Sequence, residues 1–240
     1  MRYMGSKARL GKTLASIIQP YVDNSRGYVE PFFGVGGVHQ YIHHKHKIGS
    51  DLNSDLIYFW KALQLGWKPP YTVTYDEYRK VQLNKNAYDY CPHLRAFIAF
   101  GCSFGGKEWG GYARDKKGVN YARQARNSSL KKAKGFTNTK FYSIPYNAYN
   151  PASYKGYVFY CDPPYANTTK YKTGDFDSVA FWVWCRKMAK AGNVVFVSEY
   201  TAPKGVTPVW SRGVAMTMDN NNGKRVERLY RLGKQWLSTN

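Results

Sequence analysis

Residues 157–165 read YVFYCDPPY, and this stretch decides the fold of the chain. Its first five residues are apolar or aromatic, a short run that is typical of a buried strand. The run ends at the carboxylate of Asp162, and two prolines follow, whose rings fix φ and leave no N–H for a strand ladder. We therefore expect a buried strand that stops abruptly and holds an acid at its carboxyl end.

Strands and helices alternate on both sides of this stretch, a pattern typical of a parallel sheet in an α/β protein. Apolar residues at helical spacing predict the helices, and short apolar runs predict the strands. The last two strands are expected to form an antiparallel hairpin around a turn at 220–223. The predicted elements are a helix at 9–22, a strand at 27–30, a glycine-rich turn at 33–37, a helix at 38–46, a strand at 47–51, helices at 55–65 and 177–190, a strand at 194–198 and hairpin arms at 214–218 and 225–232.

The alternation fades in the middle of the chain. Residues 101–150 carry ten Lys or Arg residues against two acids, interleaved with aromatic residues. We therefore expect a discontinuous core at 1–65 and 155–240, interrupted by a loop-rich basic module at 66–154 that handles a polyanion.

The charge of the whole chain also indicates a polyanionic partner. Lys and Arg number 36 against 15 Asp and Glu, a formal net charge of +21, and nucleic acid is the commonest partner of so basic a protein. A solvated basic surface without a partner is the alternative. The four cysteines contain no C-x-x-C pair, and no segment resembles a signal peptide or a transmembrane helix. We expect a soluble, cytoplasmic protein of a prokaryotic cell or a phage-infected host, with neither a zinc ribbon nor a membrane partner.

A glycine-rich stretch, EPFFGVGG at 30–37, follows the first predicted strand. Glycines at such a position let the main chain approach a ligand at the carboxyl end of a sheet, beside a helix N-terminus. A dinucleotide site would have a third glycine where His39 stands, so the motif alone also fits a tight structural turn. Asp51, at the end of the next strand, favours a ligand because an acid there can accept both hydroxyls of a ribose. The two features together predict a site for a nucleoside without a pyrophosphate.

The order of the motifs resembles that of one enzyme family. The motifs MGSK at 4–7, EPFFGVGG at 30–37, SDLNSDL at 50–56, YCDPPY at 160–165 and VERLYRL at 226–232 are similar to those of the Dam-type (D12 class) S-adenosylmethionine-dependent DNA adenine-N6 methyltransferases. The resemblance implies an α/β, Rossmann-like methyltransferase core with an inserted target-recognition module and a C-terminal antiparallel hairpin. It also implies S-adenosyl-L-methionine as the cofactor and double-stranded DNA as the partner.

The chemistry of adenine agrees with this resemblance. The exocyclic amine is a poor nucleophile, because its lone pair is delocalised into the ring. Acceptors on its N–H groups free that lone pair to attack a sulfonium methyl, and they grow stronger as positive charge develops on the nitrogen. The carboxylate of Asp162 and the carbonyl of Pro163 are expected to be these acceptors, and Tyr165 to stack on a base flipped out of the duplex. The implied catalytic set is Asp162, Pro163, Pro164 and Tyr165.

The resemblance implies binding residues as well. An N-terminal element lies against the cofactor in this family, and Ser6 stands where the family usually has glycine. The cofactor-binding candidates are Tyr3, Lys7, Glu30, Phe32, Phe33, Gly34, Gly36, Gly37, Asp51 and Asp162. The DNA-binding candidates are Lys107, Trp109, Tyr112, Arg114, Lys116, Lys117, Arg123, Arg126, Lys224 and Arg225, of which Trp109 or Tyr112 would fill the gap left by a flipped base.

Other interpretations stay open at this point. Asp-Pro-Pro also occurs as plain turn chemistry. The same pocket suits cytosine N4 or adenine in RNA, and a catalytically silent DNA-binding protein can keep the fold. His39 and His43 lie four residues apart, but no acid or thiol accompanies them, so we expect no metal site. We expect a monomer or a weak dimer on DNA.

Overall fold

A mixed sheet of seven strands organises the fold. The computed structural model of the chain describes residues 1–85, 89–164, 176–214 and 225–233. The strands lie in the order β3-β2-β1-β4-β5-β7-β6. They are β1 (Tyr28–Glu30), β2 (Lys47–Ser50), β3 (Thr139–Tyr142), β4 (Val158–Cys161), β5 (Val194–Glu199), β6 (Pro208–Val214) and β7 (Arg225–Leu232).

The pairing of the strands is that of a doubly wound sheet. Strands β2, β1, β4 and β5 run parallel to one another, whereas β7 is antiparallel to both β5 and β6. The order runs outward from β1 to β2 on one side and from β4 to β5 on the other, so it reverses between β1 and β4. Ligands of such sheets bind beyond the carboxyl ends of the strands at the point of reversal. The predicted Rossmann-like fold with a C-terminal antiparallel hairpin is confirmed.

Six α-helices accompany these strands in the described residues. They are α1 (Gly11–Val22), α2 (Ser54–Gln64), α3 (Tyr75–Leu83), α4 (Pro92–Ala96), α5 (Tyr121–Ala133) and α6 (Ser178–Lys190). A π-helical turn at Phe97–Gly101 continues α4. None of the helices in the described ranges is long and apolar enough to cross a bilayer.

The chain divides into two compact units, each with its own apolar core. The first unit comprises Met1–Ala15, Phe33–Ile42 and Asn53–Ser143. The second comprises Ser16–Phe32, His43–Leu52 and Ile144–Asn240. Most of the predicted insertion at 66–154 lies in the first unit, together with α2 and the glycine-rich turn. The predicted division into a discontinuous core and an inserted recognition module stays a prediction about function.

The predicted loop-rich character of the middle of the chain is wrong. Helices α3, α4 and α5 and the π-helical turn lie in this region. The apolar face of α5 consists of Ala122, Ala125 and Ser129, which are small residues with a weak hydrophobic signal. Asn120 begins α5 by accepting a hydrogen bond from the Arg123 N–H. Small buried residues therefore hide this helix from an analysis that depends on apolar periodicity.

Two other predicted elements differ from the structure. The predicted helix at 38–46 is only a 3₁₀ turn at His39–Tyr41, which ends at the extended residue Ile42. His39 is completely buried and its Nε2 lies 2.9 Å from the Thr139 hydroxyl, so tertiary contacts fix this segment. The first arm of the hairpin is β6, which ends where the predicted arm begins, and residues 215–224 lie outside the described residues.

In the second unit, the faces of the sheet differ in polarity. On one face, alternate residues of β1, β4 and β5 pack against α6 in an apolar cluster. Phe159, for example, meets Trp184 with ring centroids 5.8 Å apart. On the opposite face the same strands carry polar side chains, including those of Tyr28, Glu30 and Tyr160. The sheet is therefore anchored by α6 on one side and holds its buried polar groups on the other.

Helix α6 begins with a side-chain cap. The Asp177 carboxylate accepts a hydrogen bond of 2.9 Å from the Ala180 N–H. Asp177→Ala leaves that N–H unsatisfied and is expected to lower the free energy of unfolding by about 1 kcal/mol. Ser178→Ala, one residue further on, removes no cap bond and is the control, with an expected change below about 0.5 kcal/mol. Urea unfolding of both variants measures the difference, and equal losses would contradict the cap.

Candidate active site

Three acids lie at the carboxyl ends of three adjacent parallel strands in the second unit. Glu30 is the last residue of β1, Asp51 directly follows β2, and Asp162 directly follows β4. The register pairs Glu30 with Gly49 and Val29 with Phe159, so the three strand ends meet at one edge of the sheet. This edge includes the reversal point between β1 and β4, where ligands of doubly wound sheets bind.

The Asp-Pro-Pro segment lies at this edge. Asp162 and Pro164 are half-buried, and Pro163 between them is buried. The carboxylate is thus neither sealed in the core nor fully in water, as a group that meets a ligand should be. Tyr165, the last residue of the predicted catalytic set, lies outside the described residues.

A buried polar network lies behind the acids, on the face of the sheet opposite to α6. The Tyr160 hydroxyl is 2.9 Å from the Ser198 hydroxyl on β5. The Tyr28 hydroxyl donates to a Glu30 carboxylate oxygen at 3.3 Å. Burial raises the pKa of Tyr160 well above its usual value, and the negative charge of Asp162 raises it further. Tyr160 is therefore a neutral hydroxyl close to Asp162, and it ties the end of β4 to β5.

Lys47 adds a cation to this network. It is the first residue of β2, it is paired in register with Tyr28, and it is only 5% exposed. Burial lowers the pKa of its ammonium to about 8, against the opposing effect of the negative charge of Glu30. The sequence analysis missed Lys47, Tyr160 and Ser198. The available signal was the alternation of side chains along a strand, which places Tyr28, Glu30, Tyr160 and Ser198 on the same face of the sheet.

The glycine-rich turn lies in the first unit, where neighbouring groups crowd it. Gly34 and Gly36 have φ of +49° and +58°, a region that side chains disfavour. A Cβ on Gly34 would lie 3.2 Å from the Tyr3 ring, and one on Gly37 would lie 3.2 Å from the main chain of Lys7. The Trp60 indole donates to the Gly34 carbonyl at 2.9 Å. The structure therefore brings together the predicted cofactor residues Tyr3, Lys7, Gly34, Gly36 and Gly37.

The two adjacent phenylalanines differ in their surroundings. Phe33 is 2% exposed and packs on the rings of Phe136 and Phe141, so core packing accounts for its side chain. Phe32 is half-buried and stacks on Tyr146 with centroids 5.5 Å apart. Of the two, Phe32 is the better candidate for a wall of a ligand pocket.

A basic turn stands out on the first unit. Lys116, Lys117 and neighbouring Arg114 are exposed. The Asp115 carboxylate accepts hydrogen bonds from the N–H groups of Lys117 and Val119, at 3.0 and 3.1 Å. These hydrogen bonds hold the pKa of this exposed carboxyl below its usual value, and the bond from the Val119 N–H has the largest effect. Asp115 was not predicted as functional, yet it shapes the turn that presents the predicted DNA-binding cations.

Trp109 and Tyr112, the residues predicted to fill the gap left by a flipped base, are not the most exposed rings of the first unit. Trp109 is half-buried against Tyr78, and the half-buried Tyr112 donates to the Val73 carbonyl at 2.7 Å. By contrast, Phe104 is 63% exposed and precedes two glycines with positive φ. The sequence analysis passed over Phe104 because it favoured the larger and more polar rings nearby.

A second group of exposed rings lies beside α5. The guanidinium of Arg126 lies 4.7 Å from the centroid of the Tyr71 ring, and that of Arg123 lies 5.7 Å from it. Arg114 similarly lies 5.9 Å from the Tyr75 ring. Tyr71 and Tyr75 are about half exposed and were not predicted as functional. Exposed rings with guanidinium groups over them suit the bases and phosphates of nucleic acid.

The remaining predicted residues fall outside these groups. Lys107 is fully exposed, next to the Phe104 loop. Lys224 lies outside the described residues, and Arg225 is the first residue of β7. Within the described ranges, no group of three His, Cys, Asp or Glu residues could hold a metal ion.

Gly36 offers a test of how tightly the turn is built. Its Cβ would lie 2.6 Å from the Phe136 ring and 2.7 Å from the Phe33 ring. Gly36→Ala is expected to lower the free energy of unfolding by about 2 to 4 kcal/mol, the sum of an unfavourable φ and overpacking. Gly105→Ala is the control, because Gly105 has φ of +63° and no neighbour within 4 Å. Chemical unfolding should show a clearly larger loss for Gly36→Ala; similar losses would mean that the turn relaxes freely.

Solved structures with some likeness to the chain include several methyltransferases. The rRNA methyltransferase aviRa from Streptomyces viridochromogenes is 14% identical, with 91% of this chain and 83% of that chain covered and a TM-score of 0.40. TrmN from Thermus thermophilus is 12% identical, with 95% and 51% covered and a TM-score of 0.38. SMU.472, solved as a complex with SAH, is 13% identical, with 95% and 54% covered and a TM-score of 0.35. These likenesses are too distant to assign an activity.

The sequence of the N-terminal part is more specific. No curated protein sequence matches the chain significantly. The sequence model of one family, described as D12 class N6 adenine-specific DNA methyltransferase, matches residues 3–94. This segment contains the glycine-rich turn, Glu30 and Asp51. Residues 3–94 therefore match the D12 class N6 adenine-specific DNA methyltransferases, as the motifs predict, and this match supports a methyltransferase that uses S-adenosylmethionine.

Proposed function

We propose that this enzyme transfers a methyl group from S-adenosylmethionine to the N6 amine of adenine in double-stranded DNA, after the base has been flipped out of the duplex. The observation that carries the proposal is the position of Asp162. It directly follows β4 at the edge of the sheet where Glu30 and Asp51 end the two neighbouring strands. This is the reversal point of the strand order, and the carbonyl oxygen of the next residue, Pro163, is the proposed second acceptor.

Predicted cofactor residues occur in both units. In the first unit, Gly34 keeps free a space that a Cβ would fill, beside the ring of Tyr3. In the second unit, Asp51 is the acid that would accept the ribose hydroxyls, and Phe32 offers a half-buried ring for the adenosyl group. When bound, S-adenosylmethionine supplies the methyl group as an electrophilic sulfonium.

Asp162 and Pro163 act on the target amine. The Asp162 carboxylate accepts one N–H of the amine, and the Pro163 carbonyl accepts the other. Both bonds strengthen as the nitrogen loses its lone pair to the methyl group, so they stabilise the transition state more than the ground state. The nitrogen then sheds one proton, and Asp162 is the nearest carboxylate to receive it. Tyr160, held by Ser198, fixes the strand end that presents these acceptors.

The first unit supplies a surface for nucleic acid. Exposed cations at the Asp115 turn can contact phosphates, while Tyr71 and Tyr75 carry guanidinium groups over their rings. Phe104, on its glycine-rich loop, has the exposure that a ring needs to fill the gap left by a flipped base. An enzyme acting on such DNA would work in the cytoplasm of a prokaryotic cell or of a phage-infected host, as a monomer or weak dimer.

Cytosine N4 and adenine in RNA present the same amine geometry and are the competing substrates. Incubation with duplex DNA and with RNA in the presence of S-adenosylmethionine, followed by digestion to nucleosides, separates them. N6-methyladenine from DNA supports the proposal, and N4-methylcytosine or a product from RNA alone contradicts it. Calorimetry that detects no S-adenosylmethionine binding would instead favour a silent DNA-binding protein.

Asp162 provides the mutational test. Asp162→Asn keeps the size of the side chain but loses the charge that faces the developing positive nitrogen. We expect kcat to fall by about 10² to 10³ and the Kd for DNA to stay within about twofold. Asp23→Asn is the control, because Asp23 is exposed and bonded to Gln19 on the helix surface. Loss of DNA binding together with activity in Asp162→Asn would show that this acid is structural.

A further inference from the structure

A basic cleft lies in the second unit, away from the acids. It is open to solvent and has a volume of about 670 Å³. Three loops form it, each from a different part of the chain. Its lining residues are Arg26, Lys155, Gly156, Lys190, Ala191 and Gly192.

The cleft lies at the amino ends of the central strands. Arg26 precedes β1, Lys155 precedes β4, and Lys190 ends α6 just before β5. The acids Glu30, Asp51 and Asp162 lie at the opposite, carboxyl edge. A strand of four residues rises about 13 Å, so the cleft is separated from the candidate active site by the full height of the sheet.

The floor of the cleft is rigid. The buried side chain of Asn193 accepts from the Tyr157 N–H at 3.0 Å and donates to the carbonyls of Tyr154 and Met188 at 2.8 and 3.0 Å. The Arg26 N–H donates to the Gly156 carbonyl at 2.8 Å. These bonds hold the three loops together, so the main-chain positions from which the cations extend are fixed relative to one another.

The cations of the cleft are free to meet an anion. Arg26, Lys155 and Lys190 are all exposed, and no acid lines the cleft. Among the residues that the structure describes, none of the three takes part in an ion pair. Like charges that converge without a counter-ion repel one another and oppose folding. Three such cations around one cleft are better explained by a ligand than by stability.

The residues that line the cleft indicate which class of ligand it could bind. No aromatic residue lines the cleft, so it offers no surface on which a nucleobase could stack. Its open form suits a continuous chain that passes across it better than an enclosed small molecule. The positive charges of Arg26, Lys155 and Lys190 and the exposed main chain of the loops suit phosphate oxygens.

We infer that this cleft binds backbone phosphates of DNA outside the target site, as a second, sequence-independent contact on the edge of the sheet opposite to the chemistry. The inference rests on the proposed nucleic-acid substrate, but it concerns binding and not methyl transfer. A flank of a long duplex, or a neighbouring duplex, can reach this edge, whereas a short duplex held at the active site cannot. The contact would keep the enzyme on DNA between encounters with its target.

A salt titration tests the inference. The variant R26Q/K155Q/K190Q removes the three cations, and K80Q/K85Q/K204Q is the control, with the same loss of charge at exposed lysines outside the cleft. DNA affinity is measured against salt concentration on a long duplex and on one of about 12 base pairs, roughly 40 Å. We expect the slope of log Kobs against log salt on the long duplex to fall by about 2 to 3 in the cleft variant and by less than about 1 in the control. On the short duplex, both variants should match the wild type in affinity and in methyl transfer.

Equal slopes for the two triple variants would overturn the inference. A lower melting temperature of the cleft variant with an unchanged slope would also overturn it, because the cations would then serve the fold. Inorganic phosphate is titrated by calorimetry in parallel. Saturable binding that the cleft variant loses, with DNA binding unchanged, would show a site for a free anion instead. If the wild type methylates no DNA while the cleft variant still binds long DNA more weakly, the proposed function fails and the inference stands.

Discussion

The parallel register of β2, β1 and β4 is the constraint on which the site depends. Because these strands run in the same direction, the residues that end them meet at one edge, although they are separated by up to 132 positions, from Glu30 to Asp162, in the chain. The pairing of the strands thus places three carboxylates at one edge of the sheet. The two prolines after Asp162 have no N–H to donate, so the strand ladder ends at this acid.

In the second unit, one face of the sheet packs in an apolar core and the other face buries polar and charged groups. The face against α6 is apolar and closely packed, with rings such as Phe159 and Trp184 in contact. The opposite face buries hydroxyls, a carboxylate and the ammonium of Lys47, which would be costly if they lacked partners. The bonds from Tyr160 to Ser198 and from Tyr28 to Glu30 offset part of that cost. Charge can therefore be held near the edge of the sheet while the α6 side supports the fold.

The two edges of the same sheet differ in charge. The carboxyl edge of the central strands ends in acids, whereas the amino edge carries Arg26, Lys155 and Lys190. An acidic edge suits amines and ribose hydroxyls, and a basic edge suits phosphates. The proposed DNA methyl transfer would need both kinds of contact, and separate edges would keep the cations away from Asp162.

Local patterns and the order of the motifs were enough to predict the strand that ends at Asp162, the glycine-rich turn, helix α6 and the resemblance of residues 3–94 to the D12 class. The middle of the chain was not predictable in the same way. The buried face of α5 is made of alanine and serine, and the segment after His39 leaves the helical conformation as that side chain bonds Thr139, a hundred residues away. Only the tertiary structure decided which cations gather in a cleft, which rings stay exposed, and that Lys47 and Ser198 lie with Tyr160 and Glu30 behind the acids. These properties depend on residues that are distant in sequence. The pattern of residues along the chain therefore does not show which side chains the strand register and burial bring together.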